Sequence, residues 1–454
     1  MRFPGATDGF SVDDDLTAVR GLLAARHYKA ALKALAPVDA VCPQRALLAG
    51  IAELGRRDPR AALGHLRRAV VLEPGDREAL FQLGHALVAA SDLLHAVVWF
   101  ERVAAADPDF PGIPEALAGA YRRDARFPDV VRVTGAALAQ GNRSADILYE
   151  RAISLAHLGD AAGALATYDE RLKDDPEHAA AWFGSHAAAL GIHGVEDALR
   201  RLRRATGCTG ANGKYWAYLC AYHMLLGRAE EAQVLFAEKV AGNPKRLPLV
   251  ESVAAILPHM AAGARLFGVG AEVLRFALGE ATVPGMVLEF GVRRGTSINQ
   301  IAEVAGQTVH GFDSFEGLPE AWVNEPQGVL TTGNQLPPVR PNVVLHAGWF
   351  EDTLPPFLEA HGGPVRFVNV DSDIYSSART VLTALAPRFR PGTVLVFDEF
   401  IGNRSWREDE YKAFQEYACE HNAAWEVIAV SPFTKQVAIR LTAIGSAEAP
   451  PVAP

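Results

Sequence analysis

The chain has 454 residues, 49% of them hydrophobic and 21% charged, a globular composition in a chain too long for one hydrophobic core. We therefore expect two or three domains. The net charge of −9 argues against a general affinity for nucleic acid or anionic membranes. The four cysteines form no C-x-x-C pair, and the sequence shows neither the apolar segment of a secretory signal nor an apolar run of membrane-spanning length. These features predict a cytoplasmic protein with no membrane span.

The first elements along the chain are predicted to be helical. Residues 1–42 comprise an N-terminal segment and an irregular helix pair at about residues 14–40. The apolar positions of this pair are Leu16, Leu22, Leu23, Ala31 and Leu32. We expect the pair to cap a helical array that follows it.

Turn residues recur every 34 positions after this segment. A small or short side chain lies twelve positions before each turn, and a bulky apolar one lies eight positions before it in five of six cases. Gly50 and Gly84, and later Ala152, occupy the position where two helices approach most closely. The turn residues are Pro74, Pro108, Asn142, Pro176, Gly210 and Pro244; the small ones are Ala62, Ala96, Val130, Ala164, Ala198 and Ala232; the bulky ones are Leu66, Phe100, Tyr168, Leu202 and Phe236, with Thr134 as the exception.

This pattern resembles the tetratricopeptide repeat, whose 34-residue helix-turn-helix unit places alanine, aromatic and proline residues in this way. The resemblance covers residues 43–246, about six repeats, and implies an all-α solenoid. Such arrays bind peptides or proteins, so one expectation is that the repeats recruit a partner or form a homo-oligomer. The other is that they only pack against the second domain and shape its entrance.

The second half of the chain changes to an α/β pattern. Residues 247–284 are predicted to be a helical connector, residues 285–442 an α/β domain, and residues 443–454 a disordered Ala/Pro tail. Short β-branched runs alternate with helical stretches in the α/β domain, which is typical of a mostly parallel sheet. Five strands and a closing hairpin give seven strands, predicted at residues 286–290, 308–312, 343–347, 365–370, 393–397, 425–430 and 436–440.

The first of these strands leads into the turn E-F-G-V-R-R-G-T-S. Gly291 and Gly295 allow a tight turn and a close approach of the backbone to a ligand, and Thr296 or Ser297 begins the next helix. The spacing differs from the G-x-G-x-x-G of dinucleotide sites. Glu289 would repel a pyrophosphate and suits a cationic ligand.

Four further acids lie at the ends of predicted strands. Asp313 follows Gly291 by 22 residues, where an acid can accept hydrogen bonds from ribose hydroxyls; the alternative is an ordinary loop acid. Asp371, Asp398 and Glu399 end the fourth and fifth strands. Because these strands are neighbours in such a sheet, their carboxylates can meet at one point and bind Mg²⁺. The alternative is a set of solvated strand-end acids.

Residues 285–440 resemble the macrocin O-methyltransferase family of class I, S-adenosylmethionine-dependent methyltransferases. The matching segments are LEFGVRRGTSIN, HGFDSFEGLPEAW, LHAGWFEDTLP, VDSDIYSSARTVL, and PGTVLVFDEF followed by W-x-x-D-E-Y-K-A-F. The resemblance implies a Rossmann-like fold and a cofactor site at Glu289, Phe290, Gly291, Gly295, Thr296, Ser297, Asp313, Ser314 and Trp349. It also implies a metal at Asp371, Asp398 and Glu399, and an in-line attack by a metal-bound hydroxyl, with Asp371 as a catalytic residue.

Three features depart from the family pattern. The pair Asp398–Glu399 stands where sugar-modifying members usually have Asp-Asp, and Ile374 stands where related catechol enzymes have a lysine base. The Pro/Gly-rich segment 319–343, predicted to be a lid, differs from the sugar-modifying members. His346 is a candidate base or a structural residue, whereas His310, inside a strand, is expected to be structural.

The leading hypothesis is a Mg²⁺-dependent O-methyltransferase that acts on a hydroxyl of a small molecule, such as a sugar or a polyketide-like metabolite. One alternative places the acceptor on a carrier or a protein recruited by the repeats. The other is a non-catalytic scaffold or binding protein. The intact set of acids argues against the scaffold.

Overall fold

The computed structural model describes residues 12–322 and 326–445. Residues 446–454 of the predicted disordered tail lie outside the described part of the chain, whereas residues 443–444 belong to the last strand. The chain divides into two compact units, residues 1–150 and 151–454, and each is described by itself. No helix in the described part of the chain is both long and apolar enough to cross a membrane.

The first unit consists of paired helices. The helix pair predicted at about residues 14–40 is present as α1–α2, and its role as a cap stays a prediction. The repeat helices follow as α3–α4, α5–α6 and α7–α8, and α9 comes after them. The helices are α1 Val12–Ala24, α2 Tyr28–Leu35, α3 Pro43–Gly55, α4 Pro59–Leu72, α5 Arg77–Ala89, α6 Leu93–Ala106, α7 Ile113–Arg123, α8 Phe127–Ala139 and α9 Ala145–His157.

Glycines allow close packing between the helices of the first two repeats. A Cβ atom on Gly50 would lie 2.4 Å from Cγ of Leu66, and one on Gly84 would lie 2.4 Å from Cε1 of Phe100. Both bulky side chains are fully buried. The small-against-large pattern of the sequence is therefore confirmed here, because each bulky group occupies the space that a missing side chain leaves.

The second unit begins with the remaining repeats. Their helices are α10 Ala161–Asp174, α11 Ala179–His193, α12 Val195–Gly207, α13 Tyr215–Leu225 and α14 Ala229–Leu235. Helix α15, Leu247–Ile256, follows in the predicted connector. After α14 the chain forms a single π-helical turn, Phe236–Val240. Phe236, predicted to be a bulky packing residue, is 38% exposed, so the repeat pattern fails at this position.

The rest of the second unit is an eight-stranded sheet with helices α16–α20. The strands are β1 Met260–Leu266, β2 Met286–Phe290, β3 Val309–Asp313, β4 Val343–Ala347, β5 Val365–Val370, β6 Val394–Phe397, β7 Ala423–Ser431 and β8 Gln436–Ile444. The helices are α16 Gly270–Glu280, α17 Thr296–Ala305, α18 Phe350–Ala360, α19 Tyr375–Leu385 and α20 Glu410–Glu420. The strand order is β1-β7-β8-β6-β5-β2-β3-β4.

The connector between the repeats and the sheet is only partly helical. The prediction of a continuous helical segment is wrong because β1 lies within it and pairs with β7 in parallel. The prediction of seven strands is accordingly one short. Strands β2, β4 and β5 have the predicted bounds, and β8 is antiparallel to β6 and β7, as expected for a closing hairpin.

The later repeats pack directly on the sheet domain. A Cβ atom on Gly268 would lie 1.9 Å from the carbonyl oxygen of Ala187, so the chain after β1 touches the backbone of α11. Gln300 Nε2 donates to the carbonyl oxygen of His157 at 2.7 Å. The backbone N–H of Gly402 donates to Ser252 Oγ in α15 at 3.0 Å. Within this unit, the repeats and the sheet therefore share one packed structure.

Candidate active site

The predicted acids lie at one edge of the sheet. Strands β3, β2, β5 and β6 are adjacent and parallel, so their carboxyl ends face the same way. Adjacent strands are about 4.8 Å apart, which brings the residues after them into one cleft region. The fold therefore places the predicted cofactor and metal residues along four neighbouring strand ends.

The glycine turn after β2 is shaped by the neighbouring strand. Gly291 has a φ of +95°, and a Cβ atom there would lie 1.7 Å from the carbonyl oxygen of Asp371. Gly295 has a φ of +78° and precedes the first residue of α17, Thr296. Only glycine fits at position 291, because the backbone there lies against the backbone of Asp371 at the end of β5. This contact fixes the turn against the strand that carries the acids.

Glu289 is a fully buried carboxylate in β2. Its Oε1 accepts a hydrogen bond from Asn369 Nδ2 at 3.0 Å, and Ser297 also bonds to the carboxylate. Oε2 has no hydrogen-bond partner among the described residues. Burial raises the pKa of Glu289 to about 8. A buried carboxylate oxygen without a partner fits a cationic ligand group, such as the ammonium or sulfonium of S-adenosylmethionine.

The Asp313 carboxylate binds backbone N–H groups of the loops that follow β2 and β3. Its Oδ2 accepts from the backbone N–H of Arg293 at 2.7 Å, and its Oδ1 accepts from that of Phe315 at 2.6 Å. Each oxygen has a second lone pair, so the carboxylate fits a pair of ribose hydroxyls as well. Ser314 Oγ accepts from the backbone N–H of Glu316 at 3.2 Å, which stabilises the turn after β3.

Of the two aromatic residues predicted to bind the cofactor, Phe290 lies in the core and Trp349 lies partly at the surface. Phe290 is fully buried and stacks on Phe312 with centroids 4.8 Å apart, so it packs in the core beneath the site. Trp349 is partly exposed and immediately precedes α18. Trp406, a second tryptophan near the acids, is 3% exposed and packs edge-on against Tyr411. The role of Trp349 at the cofactor stays a prediction.

His346 belongs to a histidine and phenylalanine cluster at the edge strand β4. Its Nε2 lies 3.1 Å from Nδ1 of His310, and its ring stacks on Phe312. Burial lowers the pKa of His310 to about 4 and also lowers the pKa of His346. Strand β4 is three strands away from β5, about 14 Å in sheet spacing. The structure gives His346 a packing partner, and its role as a base stays a prediction.

The acids after β5 and β6 form a half-buried cluster. Burial, and then the charge of Asp398, raises the pKa of Asp371 well above its usual range. Burial and the charge of Glu399 raise the pKa values of Asp373 and Asp398 to about 7. Carboxylates with such pKa values can exchange protons near neutral pH, and a cation bound between them would relieve their repulsion.

Two acids of this cluster, Asp373 and Glu410, were not anticipated from the sequence. Asp373 is the second acid of the D-S-D motif and has a φ of +63°. Glu410, in the W-x-x-D-E-Y segment, is fully buried and accepts backbone N–H groups from Ser372 at 3.3 Å and from Glu399 at 3.1 Å. Glu410 thus joins the ends of β5 and β6. The D-S-D and W-x-x-D-E-Y motifs of the sequence contain these two acids and could have identified them as site residues.

The acids after β6 also have side-chain partners from the closing hairpin. Gln436 Nε2 donates to Asp398 Oδ1 at 2.6 Å, and Lys435 Nζ donates to Glu399 Oε2 at 2.8 Å. Within residues 12–322 and 326–445, no three His, Cys, Asp or Glu side chains are spaced to hold a metal ion. The carboxylate oxygens of Asp371 and Asp398 are suitable ligands for a hard metal cation. Glu399, in contrast, already forms an ion pair with the ammonium group of Lys435.

An open cleft of about 540 Å³ is lined by Ile374 and Asp409, which adjoin the cluster acids Asp373 and Glu410 in sequence. Trp322, at the start of the predicted lid, closes one side and donates from Nε1 to Asp409 Oδ2 at 3.4 Å. Residues 323–325 of that lid lie outside the described part of the chain. The cleft is lined by Glu320, Trp322, Ile374, Arg404, Glu408 and Asp409, among others. Its polar and aromatic lining suits a ligand that carries several hydroxyls.

Comparisons with known proteins relate this part of the chain to methyltransferases. Residues 288–400 match the model of a family described as a methyltransferase domain. The chain is 32% identical over 145 residues to the 8-demethyl-8-(2,3-dimethoxy-alpha-L-rhamnosyl)-tetracenomycin-C 4'-O-methyltransferase of Streptomyces olivaceus, over 26% of this chain and 54% of that protein. It is 28% identical to the mycinamicin III 3''-O-methyltransferase of Micromonospora griseorubida, over 33% of this chain and 66% of that protein.

A solved structure of the O-methyltransferase NovP aligns with a TM-score of 0.30 at 22% identity, covering 39% of this chain and 82% of that chain. The chain spans between about half and two thirds of the length of the two curated relatives that it matches. The matched family region runs from β2 to the residues after β6 and so contains the turn and the acid cluster. This segment is similar to a methyltransferase domain.

Proposed function

We propose that the protein is an S-adenosylmethionine-dependent O-methyltransferase. The observation that carries the proposal is the buried Glu289 carboxylate, whose Oε2 has no partner in the described residues, at the glycine turn of a methyltransferase domain. S-adenosylmethionine, when bound, supplies a methyl group that its sulfonium charge makes reactive. Glu289 would balance the cofactor's positive charge, and Asp313 would bind its ribose hydroxyls.

The acceptor we propose is a hydroxyl of a small sugar-bearing or polyketide-like molecule. The names of both curated relatives describe O-methyltransferases of such metabolites. The cleft lined by Trp322, Arg404 and Asp409 supports the proposal because it offers an aromatic side chain and charged hydrogen-bonding groups. Asp373, whose pKa burial raises to about 7, would receive the proton that the acceptor hydroxyl loses.

We also propose that Asp371 and Asp398 hold a divalent cation such as Mg²⁺, which when bound would make the acceptor hydroxyl more acidic. The support is their burial and mutual repulsion, which a cation would relieve. For the repeats, the proposed role is to recruit a partner or to present a bound acceptor. That role is separate from the packing of α11 and α15 on the sheet domain.

Calorimetry on the full-length protein tests the cofactor assignment. We expect S-adenosylhomocysteine to bind and NAD⁺ to show no heat, because the turn lacks the G-x-G-x-x-G spacing of dinucleotide sites. Adding S-adenosylmethionine and a rhamnosylated polyketide should then give a methyl ether. Binding of NAD⁺ without binding of S-adenosylhomocysteine would contradict the proposal, and cofactor binding without transfer to any hydroxyl would leave only a binding protein.

A further inference from the structure

The hairpin between β7 and β8 brings two side chains to the acids after β6. In the antiparallel register of β6 and β8, Phe397 lies opposite Val437. Continuing that register by one and two residues places Gln436 beside Asp398 and Lys435 beside Glu399. The hydrogen bonds follow this order, since Gln436 bonds to Asp398 and Lys435 bonds to Glu399.

The Lys435 ammonium group has three acceptors, as many as its hydrogens. Nζ lies 2.8 and 3.2 Å from the two carboxylate oxygens of Glu399 and 2.5 Å from Oδ1 of Asn403. The lysine and glutamate side chains are 30% and 16% exposed, so the pair is half-buried. Screening by water is therefore weaker than at an open surface.

The lysine is also fixed along its stem and backbone. Its Cγ would lie 3.5 Å from a Cβ atom at Gly402, and its carbonyl oxygen accepts from the backbone N–H of Ile401. Lys435 itself has a φ of +63°, a backbone conformation that non-glycine residues adopt only when their surroundings hold them there. The ammonium group is therefore directed at Glu399 by the hairpin itself.

The other side of the hairpin packs on the repeats. The ring of Phe433 lies 5.3 Å from that of Phe183 and 5.5 Å from that of His186, both in α11. The hairpin thus lies between the repeat helices and the acid cluster. The repeats of the second unit consequently help to hold Lys435 in place.

We propose that the Lys435 ammonium takes the place of a metal ion at Glu399. Glu399 is then a positioning residue that anchors the hairpin over the site, and a divalent cation is left with Asp371 and Asp398 on the protein side. A metal bound at Glu399 would lie close to the Lys435 ammonium group, and the two positive charges would repel each other. This inference extends the proposed function, but its test does not depend on methyl transfer.

Manganese titrations of the full-length protein, followed by electron paramagnetic resonance of free Mn²⁺, test the proposal. We expect Glu399→Gln to leave the Mn²⁺ dissociation constant within about threefold of that of the unsubstituted protein, because it removes no ligand. We expect Lys435→Met to tighten binding at least tenfold, because it frees a carboxylate. Lys435→Arg keeps the charge and serves as the matched control, with unchanged affinity.

A tenfold or greater weakening by Glu399→Gln would overturn the proposal, as would unchanged affinity in a folded Lys435→Met variant. If Lys435→Met fails to fold, the Mn²⁺ dissociation constant of Glu399→Gln alone decides whether the proposal stands. If the unsubstituted protein binds no Mn²⁺, the proposed two-carboxylate site fails. The lysine proposal then requires binding to appear in Lys435→Met, and its absence there would overturn it.

Discussion

Replacing Glu289 by glutamine tests whether this buried carboxylate is kept for a cationic ligand. Burial raises the pKa of Glu289 from 4.5 to about 8, so the folded, ligand-free protein keeps a proton that the unfolded chain releases above pH 4.5. The stability of the ligand-free protein must then fall as the pH rises from 4.5 to 8. Between pH 4.5 and pH 7 the free energy of unfolding should fall by about 3 kcal/mol, since each pH unit contributes about 1.4 kcal/mol.

The substitution should therefore have opposite effects on stability and on binding. Glutamine has no proton to lose, so we expect the ligand-free Glu289→Gln variant to be up to about 3 kcal/mol more stable at pH 7. We expect its dissociation constant for S-adenosylmethionine to rise about 10- to 100-fold, because a charge-assisted contact contributes about 1.5–3 kcal/mol. Urea unfolding and calorimetry measure the two quantities.

Glu272→Gln is a matched control for this prediction. Burial also raises the pKa of Glu272, which lies in α16, outside the predicted cofactor residues. That variant should gain stability and keep its cofactor affinity. The reasoning is refuted if Glu289→Gln binds S-adenosylmethionine as tightly as the unsubstituted protein, or if the ligand-free variant is less stable at pH 7.

Two further predictions concern the repeats. Gly84→Ala should destabilise the protein by about 1–3 kcal/mol in urea unfolding, since its Cβ would lie 2.4 Å from the buried Phe100 ring. Gly64→Ala, with nothing within 4 Å, should instead stabilise it by about 0.5–1 kcal/mol, and equal effects would contradict the packing argument. Burial lowers the pKa of His186 to about 4, so stability should fall as the pH drops from 6.5 towards 4, by about 2 kcal/mol at pH 5. His186→Phe should reduce that loss in unfolding curves at pH 7 and pH 5, and an unchanged difference would contradict it.

Periodic features of the sequence predicted most of the fold. The 34-residue spacing identified the helix pairs because each bulky side chain meets a small one at a fixed offset. Strand β1 was missed because its residues, MAAGARL, have the composition of a helix, and only its pairing with β7 makes them a strand. Phe236 was misassigned because the helix changes to a π-helical turn at that residue.

The sequence predicted the acids of the site but missed the partners of two of them. Asp371 and Asp398 stand directly after apolar strands, so their location at the sheet edge followed from the strand pattern. Lys435 and Gln436 lie more than 35 residues further along the chain, and no local motif links them to the acids. Only the antiparallel register of β6 and β8 shows that they face Asp398 and Glu399.

Transfer of a labelled methyl group tests the central proposal most directly. The full-length protein is incubated with S-adenosylmethionine that carries a ¹³C-labelled methyl group, together with a panel of sugar-bearing polyketides. We expect the carbon NMR spectrum of the product to show the label in a methyl ether on an acceptor oxygen. Label on nitrogen or carbon, or no transfer to any acceptor by protein that binds the cofactor, would contradict the account.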